Sequence, residues 1–106
     1  MGVMKMPVVP ARVRRVPESF SWVDHRLVRE NHINGQRSHA ALALYLFLVT
    51  VADADGLSYW SENALLRRLG LDAPRLRSAR AELEAASLVA YESPVWQVLE
   101  LPGGAP

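Results

Sequence analysis

Between Ser38 and Asp55-Gly56 lies a stretch whose apolar side chains leave no polar face: Ala40, Leu42, Leu44, Leu46, Leu48 and Val51, interleaved with Tyr45, Phe47 and Val49. Alanine and leucine are strong helix formers and Ser38 is a good N-cap, so the pattern predicts a first helix running from Ser38 to about Ala54. A helix that is hydrophobic all round has to be covered all round. The rest of a small domain covers one side. The other side requires either the segment from Phe20 to Ile33 or a second copy of the protein.

The remaining composition bounds the problem. With 106 residues, half of them hydrophobic and 22% charged, the chain suits one packed core rather than two, and is not composed like a disordered protein. The longest apolar run, Ala40 to Val49, is well short of the roughly 20 residues that span a bilayer, so no membrane segment is expected. The first fifteen residues carry Lys5, Arg12, Arg14 and Arg15 without a long apolar stretch, unlike a signal peptide. The absence of cysteine excludes disulfides and thiolate metal sites, and a cytoplasmic location is the simplest expectation.

A net charge of +1 is no nucleic-acid signature in itself, but the charge is segregated. Residues 1–37 hold seven basic and three acidic side chains, and residues 61–80 hold five and two. The other acids, Asp53, Asp55, Glu82, Glu84, Glu92 and Glu100, fall between and after these stretches.

Three regions follow from the punctuation. Residues 1–19, with Pro7, Pro10 and Pro17 among basic residues, read as an extended or flexible arm. Residues 20–101 form the domain, and within it 20–35 is a covering segment whose anchors, Phe20, Trp22, Val23, Leu27, Val28 and Ile33, are expected to bury. That segment ends at the turn dipeptide Asn34-Gly35, and its conformation is open between a short helix and an extended strand. Residues 102–106 are expected to be a disordered tail.

Within the domain, Asp55-Gly56 turns the chain into Leu57-Ser58-Tyr59-Trp60, a short single strand. Ser61 opens a second helix, with Ala64, Leu65 and Leu69 inward, that stops at Gly70. Asp72 caps a third helix over about 73–87, with Pro74 in its first turn, where a missing N–H costs nothing. Its inner face carries Leu76, Ala79, Leu83 and Ala86, and its outer face Arg77, Ser78, Ala81 and Ala85. Leu88 to Glu92 and Val95 to Leu101 then read as a two-stranded hairpin turned by Ser93-Pro94. The fold class is mainly α with a small β-hairpin.

This order, with Ala52-Asp53-Ala54-Asp55-Gly56-Leu57-Ser58 leading to the cap at Ser61, Leu69-Gly70-Leu71-Asp72 as the turn, and Ala79-Arg80-Ala81-Glu82-Leu83 leading to Ser87-Leu88-Val89-Ala90-Tyr91, resembles the winged helix-turn-helix family. The likeness is to the small domains of bacterial and phage replication initiators, transposon-associated proteins and regulators, and it covers Ser38 to Leu101. Ser87 stands where many members have glycine. The resemblance implies that the third helix enters the major groove of double-stranded DNA, with Arg75, Arg77 and Ser78 facing the bases and Arg67, Arg68 and Arg37 holding phosphates. Arginine suits both tasks, since it can donate two parallel bonds to guanine or grip a phosphate. Arg80 instead fits an i,i+4 pair with Glu84. The hairpin carries Glu92 and no basic residue, so it is poorly equipped for phosphate, and Tyr91 and Trp96 read as packing rather than base-stacking groups. The basic arm reads equally as a DNA-tracking tail and as a solubilising one.

Catalytic and metal patterns are weak. Asp53-x-Asp55-Gly56 and Glu62 match the later positions of a calcium loop, but the first ligand position is Val51. His25, His32 and His39 are seven residues apart, which is not a helical metal spacing. Neither an enzyme, a cofactor nor a metal site is expected. The sequence therefore points to a DNA-binding protein, either a transcriptional regulator or an accessory factor in replication or transposition of a mobile element. The alternative is a protein-interaction domain that dimerises or binds a partner through its apolar first helix.

Overall fold

The computed structural model describes residues 4–103; residues 1–3 of the expected arm and 104–106 of the expected tail lie outside the described residues. The chain folds into a mixed α/β domain of four α-helices and a three-stranded antiparallel sheet. In chain order the elements are a single 3-10 turn (Pro10–Arg12) within the arm expected to be extended, then α1 (Arg26–Arg29), α2 (His39–Val51), β1 (Leu57–Tyr59), α3 (Glu62–Leu69), α4 (Ala73–Ala85), β2 (Val89–Glu92) and β3 (Val95–Val98). The expected first, second and third helices are thus α2, α3 and α4.

Each long helix starts at the residue whose side chain can satisfy its free amides. Ser38 Oγ accepts from the Ala41 N–H at 3.0 Å, Ser61 Oγ from that of Ala64 at 3.1 Å, and Asp72 Oδ1 from that of Arg75 at 2.9 Å. The ends are less regular. α2 stops at Val51 rather than near Ala54, because Asp53 Oδ1 accepts from the backbone N–H groups of Asp55 and Leu57, both at 2.9 Å. This local bonding offers the backbone a turn in place of another helical turn. α4 stops at Ala85, two residues early, and Ser87 adopts the left-handed conformation at φ 59°. The Leu88 N–H then donates to the Leu83 carbonyl at 3.0 Å, the long-range bond of a Schellman closure.

The hairpin is not a free two-stranded unit. β1 pairs with β3, Ser58 opposite Trp96, so the sheet has three strands in the order β1-β3-β2. The Val98 N–H donates to the Gly56 carbonyl at 2.8 Å and continues the ladder past β1. β3 ends at Val98 rather than reaching Leu101, which is nevertheless buried. Trp96 is also buried, and its indole N–H donates to the Trp60 carbonyl at 3.2 Å, so this aromatic packs instead of presenting a stacking face.

The core lies between α2, α4 and the sheet. Leu44 and Leu48 of α2 meet Leu76, Ala79 and Leu83 of α4, with Leu65, Val89 and Trp96 closing the ends. Glu82 adds a polar tie across the helix pair, accepting from the Ser38 N–H at 2.7 Å and from its hydroxyl at 2.8 Å.

Two expectations about coverage are corrected. The segment 20–35 forms only the single turn α1 within loop, and of its six anchors only Leu27 is buried. Phe20 is 65% and Trp22 76% exposed, because the segment touches the domain mainly through Leu27 and through the Ser21 hydroxyl, which donates to the Thr50 carbonyl at 3.1 Å. Accordingly α2 is not covered all round, and Leu46 on its outer side is 62% exposed.

Asp24 closes the turn that opens α1. Its carboxylate accepts from the Arg26 backbone N–H and side chain, each at 2.8 Å, which holds its pKa below the ordinary value, the side-chain bond contributing most. A lowered carboxylate pKa contributes stability above the unfolded value and loses it as pH falls through the folded value. Asp24→Asn is therefore expected to melt at lower temperature than the parent at neutral pH. The gap should close in acid, across the interval between ordinary and lowered aspartate pKa values.

Backbone conformation supplies a further pair of outcomes. Gly56 sits at φ 85°, and a Cβ there would strike the Val98 carbonyl, so Gly56→Ala should cost at least about 2 kcal/mol in urea unfolding. Ser87→Gly should instead stabilise by roughly 0.5–1 kcal/mol, since it relieves a left-handed residue bearing a Cβ.

Candidate nucleic-acid interface

α3 and α4 are joined by a turn in which Gly70 takes the left-handed conformation at φ 65°, and its N–H donates to the Leu66 carbonyl at 2.9 Å. A side chain at Gly70 would be strained here, which explains why α3 ends after eight residues. Leu71 then leads directly into the Asp72 cap, so the end of α3 and the start of α4 are held together by covalent and capping bonds.

Five of the six candidate residues lie on these two helices. Arg67 and Arg68 occupy the last turn of α3, and Arg75, Arg77 and Ser78 the first two turns of α4; all five are exposed. On α4 the buried residues Leu76, Ala79 and Leu83 define the inner face. Arg77, Ser78, Ala81 and Ala85 are on the opposite face, and Arg75 on its flank, by helical spacing. The outer face therefore carries Arg77 and Ser78 in its first half and Ala81 and Ala85 in its second, with the exposed Glu84 in line with Arg77 two turns on.

The arginines are not free charges. Arg77 Nε donates to Glu62 Oε1 at 3.1 Å, linking the start of α3 to α4. Arg75 Nε lies 3.8 Å from Asp72 Oδ2. The Arg68 guanidinium sits 5.9 Å from the centre of the Trp60 ring, a cation–π distance. Each contact engages part of a guanidinium that carries five N–H donors, and exposed pairs of this kind contribute only about 0–1 kcal/mol. They aim the side chains while leaving donors for another anion.

Arg37 lies elsewhere. It is half-buried before α2, and its Nε donates to the His32 carbonyl at 2.9 Å, which closes its own loop. The neighbouring Ser38 touches Glu82, seven residues or about 10 Å along α4 from Arg75. Arg80 has the structural placement expected of it, 3.6 Å from Glu84 and 4.9 Å from the Tyr91 ring centre.

Glu62, Trp60 and Asp72 are the partners not foreseen for the arginines. Only Asp72 had a local signal, as a helix cap three residues before Arg75. The Glu62 contact joins residues fifteen positions apart on different helices, and no periodicity reports it. The partial calcium pattern is divided in the same way, with Asp53 bonded to its own turn and Glu62 to Arg77.

No family model matches the chain, and neither a curated protein nor a solved structure matches it.

The cap and the ion pair at Asp72 can be separated experimentally. Asp72→Asn retains a capping oxygen and should alter stability by no more than about 0.5 kcal/mol, whereas Asp72→Ala should cost about 1 kcal/mol in chemical denaturation.

Proposed function

We propose that the protein is a winged helix-turn-helix DNA-binding protein, with α4 in the major groove and the β2–β3 hairpin as its wing. The observation that carries this reading is the basic start of α4's outer face, where Arg77 and Ser78 are exposed with Arg75 beside them. Small side chains at Ala81 and Ala85 leave room beside that start, while Glu84 on the Arg77 edge is met by Arg80 at 3.6 Å. Arg67 and Arg68, at the end of α3, are placed to hold phosphates. Arg37 would contribute less, since part of its fork is already used by His32. The work proposed is binding rather than catalysis, in regulation of transcription or as an accessory step in replication or transposition of a mobile element.

A second reading, a protein-interaction domain, is favoured by the exposed Phe20, Trp22 and Leu46 and by the carboxylate beside each of Arg75 and Arg77. The two readings are compatible, because paired helix-turn-helix domains can meet two half-sites.

Fluorescence anisotropy with labelled duplex DNA, repeated over a salt series, tests the first reading. Binding should weaken steeply with salt, and Arg67→Ala should reduce the slope of log K against log salt by about 0.9. An Arg75→Ala/Arg77→Ala double variant should lower affinity at least tenfold. If it stays folded and binds as well as the parent, α4 is not the reading element.

A further inference from the structure

A cleft of about 590 Å³ opens where residues 20–26 cross the end of α2 and the chain leaving β3. Phe20, Trp22, Val49 and Leu101 provide apolar lining, and Asp24, Asp53, Asp55 and Glu100 are its carboxylates. Arg26 is the only basic residue among the described residues that line it, and it is held by Asp24 at 2.8 Å. Glu100 lies close enough to Arg26 to help keep it charged, and Asp55 forms no ion pair among the described residues. The cleft is thus apolar within and acidic in net charge. A second groove, of about 480 Å³, shares Phe20, Val23 and Val49 with it and extends to Leu46 on the uncovered side of α2.

The arm has the complementary composition. Residues 4–16 contain Lys5, Arg12, Arg14 and Arg15 and no acid. They also contain large apolar side chains with nothing to cover them, among them Val8 at 96% and Val16 at 80% exposure. A tail that only follows a phosphate backbone needs the cations and gains nothing from exposed valines and methionines. A cleft that is apolar inside and acidic in charge makes use of both.

The arm does not fill this cleft in its own chain. The radius of gyration is 16.0 Å, against about 13 Å for a compact chain of this length. The accessible surface is 8245 Å², against about 5,900 Å² for a compact protein of this mass. Because the arm leaves the domain at Phe20, on the edge of the cleft itself, two copies can each give an arm and receive one in a closed two-fold arrangement. Pro7, Pro10 and Pro17 restrict the free arm and so reduce the entropy lost when it is ordered. We propose that the protein forms a homodimer by exchanging arms, residues 4–16 of each copy lying in the acidic, apolar-lined cleft of the other. No residue of α4 lines the cleft, so this pairing stands independently of the DNA-binding reading.

Charge exchange between full-length variants tests the pairing. Light scattering of the parent at low salt should give about twice the 11.8 kDa of one chain. An Arg12→Glu/Arg14→Glu/Arg15→Glu variant alters only exposed arm residues and should be folded and monomeric, melting somewhat below the dimeric parent. An Asp55→Lys/Glu100→Lys variant should also be monomeric, with Asp55→Lys alone as the milder form if the double variant melts early. Mixing the arm variant with either cleft variant should restore a mass twice that of one chain. A monomeric parent, an arm variant that remains dimeric, or a mixture that stays monomeric would each overturn the proposal.

Discussion

Water is excluded between α2 and α4, and every other element takes its place around that contact. Leu44 and Leu48 on one helix and Leu76, Ala79 and Leu83 on the other are almost completely buried. A buried leucine contributes roughly 1.5–3 kcal/mol, more than any surface ion pair in the molecule. The Ser38–Glu82 bonds do not supply that energy. They set where along α4 the start of α2 can lie, since one carboxylate must meet both the N–H and the hydroxyl of the capping residue. α3 is then carried by its turn to α4, and the sheet closes the far side through Val89 and Trp96.

Features decided by neighbours in sequence were legible in advance, and those decided across the chain were not. Ser38, Ser61 and Asp72 act within three residues of themselves, so their caps could be read directly, as could Gly70. The end of α2 was misplaced because Asp53 bonds its own turn in competition with the helix. The length of β1 was legible but its partner was not, since Leu57 meets Gln97 forty residues later. Ser87 shows the reverse case: a residue ill-suited to the left-handed region still adopts it, because Leu83 before it and Leu88 and Val89 after it are all held in the core. Of the candidate site, the exposed side of α4 could be read from its period, while the carboxylates beside Arg75 and Arg77 required the structure.

Those carboxylates bear on how the outer face of α4 can work. Glu62 and Asp72 reduce the net charge there, which lowers long-range attraction for any polyanion. They also hold two long side chains in restricted directions, which reduces the rotamer entropy lost on binding. Neither exposed pair is strong enough to withhold its arginine from another anion. The near-neutral charge of the whole chain lowers the same long-range attraction.

α2 connects this face to the opposite one. Its inner side fixes α4, while its outer side, with Leu46 and Val49, borders the grooves beside Phe20 and Val23. Within the chain α2 is covered except along one narrow stripe, His39, Ala43, Leu46 and Thr50, of which only Leu46 is a large apolar side chain left exposed. On the arm exchange proposed above, that stripe would border the second copy, while the inner side of α2 holds α4.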